Sequence, residues 1–195
     1  MTVDRTGRPI GRGTAAALRD RFISVAAWMR ILNLRSAPMF RGLLVCVGYY
    51  VGAKVGFALT LQPQPVSVLW PPNAILLAAL LLSPTRVWWF LFLAAFPAHC
   101  ATQIQSSVPI PMMLSWFVSN SFEALLGAYA IRSLVREPFQ FNSLRALGIF
   151  IAFGVFLAPF VSSFLDAWLV ALNSWGASSY WEVWRTRFLS NMTAA

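Results

Sequence analysis

Five side chains that fit poorly in hydrocarbon punctuate the apolar body of this chain: Lys54, His99, Asn120, Glu123 and Asp166. An ionisable group at membrane depth is costly unless it faces a bundle interior, meets an opposite charge or holds something. Lys54 and Glu123 each stand 13 residues into an apolar run. Consecutive runs cross in opposite directions, so a Lys54–Glu123 pair is feasible. The pair could serve only to neutralise two charges and fix helix packing, or its members could form a ligand or proton site with Asn73 and Asn120. Asp166 falls close to the outer boundary of its run and is expected to be wet. His99 reads as an interface residue near an outer helix end rather than as a haem or chlorophyll ligand. The most specific local feature is Trp70-Pro71-Pro72-Asn73. Proline suits the first helical turn, where its missing N–H costs nothing. The pair predicts a fresh helix start, with free N–H groups and partial positive charge directed into the bundle. Broken helices of this kind frame ion and substrate sites in transporters; the plainer reading is a turn into a short or re-entrant helix. There is one histidine, no paired carboxylates, no phosphate-cradling glycine loop and no metal-ligand spacing. No enzymatic activity, cofactor or metal is therefore expected.

The elements that must position these residues follow from composition. Of 195 residues 58% are hydrophobic and 11% charged, with mean hydropathy +0.66. A soluble domain carries about 25% charged residues, so a water-soluble globule is excluded. The net charge is +9, yet eight of the 15 basic residues precede position 42 and only Lys54 is charged between Gly42 and Thr85. That placement marks a cytosolic amino terminus rather than a nucleic-acid surface. Residues 1–13 are expected to be a disordered basic arm. Residues 14–40 are expected to form an amphipathic helix, with Leu18, Phe22, Val25, Met29 and Leu32 on one face. Arg19, Arg21 and Arg30 lie off that face, directed toward anionic lipid. Apolar spans are predicted over 42–61, 66–83 (with the Pro-Pro break inside it), 87–103, 111–131 and 146–172. A sixth helix starts near Trp181 and supplies only a few residues before the chain ends. The predicted fold is an all-α integral membrane bundle of five to six transmembrane helices. Alternate loops carry Arg86, then Arg132, Arg136 and Arg145, whereas the intervening loops carry no Lys or Arg. The expected topology is multi-pass in a bacterial inner membrane, amino terminus inside. Cys46 and Cys100 fall in apolar runs and read as small buried hydrophobes. Trp88–Trp89 and Trp181–Trp184 read as belt anchors at the membrane surface.

The run VSVLWPPNAILLAALLLSPTRVWW resembles the first type of membrane-associated sensor domain of bacterial signalling proteins (the MASE family). Its aromatic-Pro-Pro motif, here Trp70, Pro71 and Pro72, opens a leucine-rich helix from Ala74 through Leu82. The preceding YYVGAKVGFAL, the FNSLRAL segment and the late WEVWRTRFLSNMTAA agree, so the likeness covers about residues 41–195. The resemblance implies a non-enzymatic sensory input module, usually of about eight spans joined to a histidine kinase or a cyclic-di-GMP synthase or hydrolase. The expectation for this chain is a truncated sensor domain without an output domain, acting through a separate effector. The alternatives are a structural accessory subunit of a larger membrane complex and a small transporter. The expected partners are the lipid bilayer and other membrane subunits or a signalling effector, with no nucleic acid.

Overall fold

The computed structural model describes residues 38–60, 67, 69–135, 143–176 and 178–195. The chain divides into two compact units, residues 1–40 and 41–195. The predicted arm over 1–13 and the amphipathic helix over 14–40, including Arg19, Arg21 and Arg30, lie outside the described residues apart from 38–40, which open the first helix.

Helix α1 spans Pro38–Ala58. Its sequence carries glycine at every fourth position from Gly48 to Gly56, a stripe that lets a neighbouring backbone approach closely. A Cβ at Gly52 would come within 2.9 Å of Ile75 Cδ1, and one at Gly56 within 2.7 Å of the Trp70 ring. The chain turns back into helix α2, Pro71–Leu81, with the two prolines in its first turn and Trp70 at the N-cap. The fresh helix start expected at Pro71 and Pro72 is present: Ser67 forms an isolated β-bridge with Thr60, and Leu69 and Trp70 are non-helical, so the short helix is entered from irregular chain. Two consecutive residues without N–H can begin a helix but not lie within one. At ~1.5 Å per residue α2 reaches only about half of a ~30 Å hydrocarbon core, so its N-terminus stands at mid-depth.

A 3₁₀ turn, Thr85–Val87, leads into α3, Trp88–Gln105, which keeps Pro97 in its interior. Helix α4 is Ile110–Leu134, 25 residues long. Helix α5 runs from Leu144 to Leu172 as one 29-residue rod. Its middle, Phe150–Leu157, is a π-helix that ends just before Pro159. Proline cannot donate to the carbonyl four residues back, and its ring crowds that carbonyl; a wider π turn there accommodates both. Helix α6, Tyr180–Ala194, opens on a capping box in which Ser179 and Glu182 satisfy each other's backbone N–H. The sixth helix is thus longer than the few residues expected, and it packs extensively against α5.

Pro38–Ala58, Thr85–Gln105 and Leu144–Leu172 are each long and apolar enough to cross a bilayer. α4 has sufficient length at ~1.5 Å per residue, but polar residues on its inner face lower its hydropathy. Burial is inverted relative to a soluble domain. Leu43, Leu44, Val47, Val51 and Val55 of α1 are exposed, whereas Asn73, His99, Asn120, Glu123 and Asp166 are buried. Such a distribution requires hydrocarbon outside and polar partners inside. The protein is an all-α membrane helical bundle.

One end of the bundle gathers arginines. Arg41 donates to Leu82 O at 3.3 Å and Ser83 Oγ at 3.2 Å, and Arg132 donates to Leu81 O at 3.3 Å. Both cap the carboxy-terminal carbonyls of α2, where the helix dipole is negative. Trp88 joins them. Its Nε1 donates to Leu80 O at 2.9 Å, and Arg132 lies 5.3 Å from its ring centre. Trp88 is therefore a buried structural residue rather than a belt anchor, while Trp89 beside it is 63% exposed. Cys46 and Cys100 are free and only half-buried.

Candidate functional site

The polar face of α4 is the axis of the site. Trp116, Ser119, Asn120 and Glu123 recur at three- and four-residue spacing and are all buried, a single inward stripe. Three hydrogen-bonded groups hang from it.

The first centres on Glu123. Asn73 Nδ2, in the first turn of α2, donates to its Oε1 at 2.9 Å. Asn191 Nδ2 of α6 donates to Oε2 at 2.6 Å, and the Ser162 hydroxyl of α5 donates to the same oxygen. Helices α2, α4, α5 and α6 therefore meet at one carboxylate that is 5% exposed. Among the described residues no cation pairs with it. Its electrostatic support is three donors and the positive end of α2, worth roughly half an elementary charge. The local sequence dictates this arrangement: the two prolines start α2 at mid-depth, which puts Asn73 level with Glu123.

The second group is an ion pair. Arg187 Nε of α6 lies 3.1 Å from Asp166 Oδ2, and its Nη2 donates to Oδ1 at 3.2 Å. Ser119 donates to Oδ1 at 2.5 Å, and the guanidinium stands 5.4 Å from the Trp116 ring centre. Asp166 is 0% exposed. The expectation of a wet Asp166 is thus corrected. The residue faces α6 rather than the membrane boundary, and a buried carboxylate needs the partner α6 supplies.

The third group joins α1, α3 and α4. Asn120 Nδ2 donates to Tyr49 Oη at 3.1 Å, and Tyr49 Oη lies 2.9 Å from His99 Nδ1. His99 Nε2 lies 2.9 Å from Met113 O. A carbonyl only accepts, so Nε2 carries the proton; in the neutral imidazole Nδ1 then accepts from the Tyr49 hydroxyl. His99 is fully buried in this chain of bonds, not an interface residue at a helix end. Both ring nitrogens are committed to protein partners, an unsuitable state for axial ligation.

Lys54 takes no part. It is exposed, and its Nζ donates to Gln105 Oε1 at 3.1 Å, near the end of α3. The Lys54–Glu123 pair is corrected accordingly. Lys54 is the seventeenth residue of α1, beyond the depth of Glu123 and on the outward side, where a long side chain can snorkel toward the surface. Asn73, Asn120 and Glu123 do share the interior, and Trp70, Pro71 and Pro72 position the first of them. Trp70 is buried, edge-on to Phe57 at 5.4 Å between ring centres. Sequence reasoning missed Ser119, Ser162, Arg187 and Asn191. The signal lay in α6, where Val183, Arg187, Ser190 and Asn191 repeat at helical spacing.

Several buried polar atoms in this core have no hydrogen-bond partner, among them Asn73 Oδ1, Asn120 Oδ1, Asn191 Oδ1 and Ser190 Oγ. All but the serine hydroxyl are pure acceptors, and unpartnered donors stand in the interior as well, among them Trp116 Nε1 and Gln103 Nε2. Among the described residues no group of three or more His, Cys, Asp or Glu could hold a metal ion. Nor does any nucleophile–base pair stand here: His99 is tied to a tyrosine and a main-chain carbonyl. The arrangement can bind and reorganise.

Residues 41–195 fit the family model MASE1. No curated protein and no solved structure matches the chain.

Proposed function

The chain belongs to the MASE1 family of membrane-associated sensor domains, and on that premise we propose that its polar core is the sensing element of a bacterial signalling system and that a separate effector reads it. The observation that carries this reading is the convergence of four helices on Glu123 through Asn73, Ser162 and Asn191. Anything that changes the charge or occupancy of that carboxylate changes the hydrogen bonds of every helix around it. A signal acting there shifts the balance between two packings, which is what an input domain must do. The module itself is non-enzymatic. Its amino terminus and arginine-bearing turns face the cytoplasm of the inner membrane, in line with the positive-inside rule. Arg19, Arg21 and Arg30 hold the amino-terminal segment to anionic lipid there.

Purification of the full chain from its native membrane in mild detergent tests the reading. A histidine kinase or cyclic-di-GMP enzyme should comigrate in stoichiometric amount, and its activity should change severalfold when Asn191→Leu removes one arm from Glu123. Comigration with a membrane assembly that contains no signalling enzyme would make the chain an accessory subunit instead. A free monomer would defeat both.

A further inference from the structure

Helix α2 turns small residues toward the hydrocarbon. Ala74, Ile75, Ala78, Ala79 and Leu82 all keep some exposure, and Leu82 is 71% exposed. Ile75 and Leu82 stand two turns apart on one face and form a ridge, with a recess on each flank. Toward α1 lies a groove of about 320 Å3 bounded by Leu44, Val45, Ile75, Ala79 and Leu82, and Arg41 and Ser83 close its end. Across the ridge lies a second groove of about 360 Å3, bounded by Ala74, Ala78, Leu81, Phe150 and Ala195. Arg41 holds Leu82 O and Ser83 Oγ through Nη1 alone, which leaves Nε and Nη2 without a partner among the described residues. Arg86, Arg132 and Arg145 belong to the same pole. The acidic side chains of the described residues stand elsewhere: Glu123 and Asp166 are in the core, and Glu182 opens α6 at the opposite end. Positive charge at the mouth of the first groove is therefore not offset by any described acidic side chain.

From this arrangement we infer that the two grooves hold one phospholipid with an anionic headgroup, of the phosphatidylglycerol type. Depth, shape and charge agree on that occupant. The 11 residues of α2 rise ~16 Å, close to half of a ~30 Å hydrocarbon core. The grooves beside it therefore run from mid-depth to the arginine pole, the depth that one leaflet occupies. A lipid of that leaflet places its phosphate beside Arg41 and its chain ends near Pro71. Two recesses that share the Ile75–Leu82 ridge accommodate two acyl chains of one molecule, one on each side. Apart from Arg41 and Ser83 the first groove is lined by apolar side chains, and lipid tails are as apolar as leucine, so the grooves by themselves do not choose among lipids. Arg41 makes the choice. A guanidinium binds a phosphate through paired N–H donors, and the two nitrogens left over after Arg41 caps α2 are available for it. The site stands on groove, depth and charge, and does not rest on the sensory reading above.

The test uses the full chain in mild detergent with added phosphatidylglycerol, or with phosphatidylcholine of the same acyl chains, and counts retained lipid by native mass spectrometry. One phosphatidylglycerol per chain should be retained, with an apparent affinity about tenfold above that of phosphatidylcholine. Arg41→Gln should remove that preference, whereas Arg145→Gln, at the same pole but away from the grooves, should keep it. Ala79→Trp, which fills the first groove from its lipid side, should abolish retention while the thermal midpoint in lipid-free detergent stays that of the unaltered chain. Equal retention of the two lipids by the unaltered chain, a result independent of any variant's folding, would overturn the inference. An equal loss in Arg41→Gln and Arg145→Gln would also overturn it, since the attraction would then belong to the whole basic pole. A photoreactive benzophenone side chain at position 82, activated in membranes, identifies the occupant directly. A phospholipid adduct supports the site; an adduct to residues 14–37 of the same chain or to a second copy would overturn it.

Discussion

Removing Arg187 leaves Asp166 as a bare carboxylate in a dry interior, whereas removing both partners leaves an apolar contact. Breaking a buried pair from one side costs about 3–5 kcal/mol, while replacing the whole pair with well-packed apolar residues is often nearly neutral. Arg187→Met is accordingly expected to lower the unfolding midpoint sharply in a detergent melt. Asp166→Leu combined with Arg187→Met should recover most of the loss, with Ser119 free to bond the carbonyl one turn back on its own helix. A double variant as weak as the single one would mean that the arginine acts through its contact with Trp116 and not through its charge. The individual residues of the site were unequally legible. Glu123 and Asn73 stand out because a polar group amid leucines has no local reason to be there. Lys54 stands out for the same reason and misleads. Its depth along α1 was readable from the chain, but the side of the helix it occupies depended on where α2 packs. Arg187 and Asn191 were hidden in a stretch whose mean polarity resembles that of a surface helix, and only contact with α4 and α5 gives them meaning.

Among the helices, α1 and α2 are held together by what α1 lacks. Two glycines of the stripe meet different obstacles. A methyl at Gly52 would press on the terminal carbon of Ile75, which can rotate away. A methyl at Gly56 would meet the Trp70 ring at 2.7 Å and the Leu69 carbonyl at 3.2 Å, and neither can yield easily. Overpacking of this kind costs about 1–3 kcal/mol. Gly56→Ala should therefore destabilise the protein clearly more than Gly52→Ala in the same unfolding assay; equal effects would show that the two helices slide apart at little cost. Helix boundaries followed closely from capping residues and prolines: Pro71–Pro72 opens α2, and Ser179 with Glu182 opens α6. Periodicity could not reveal the π segment over Phe150–Leu157, because that stretch is apolar on every side.

At the scale of the molecule, Arg41 and Arg132 meet at the carboxy-terminal end of α2, so α1 and α4 place basic residues at one pole. If that pole faces the cytoplasm, a cysteine introduced at Thr85 should be shielded from an impermeant reagent added outside intact cells. One introduced at Ser107 should react. Reaction at both positions would dismantle the alternating topology. The amino-acid order alone determined the solvent of this protein and the approximate extent of its apolar helices. Those properties depend on how hydrophobicity and charge are distributed along the chain, and a bilayer reads that distribution directly. Only the tertiary structure decided which polar groups share an interior. Depth is one coordinate, and two residues at the same depth meet only if their helices are neighbours turned toward each other. That choice belongs to packing: glycines that admit α2 beside α1, and a sixth helix whose arginine and asparagine close the core against α4 and α5.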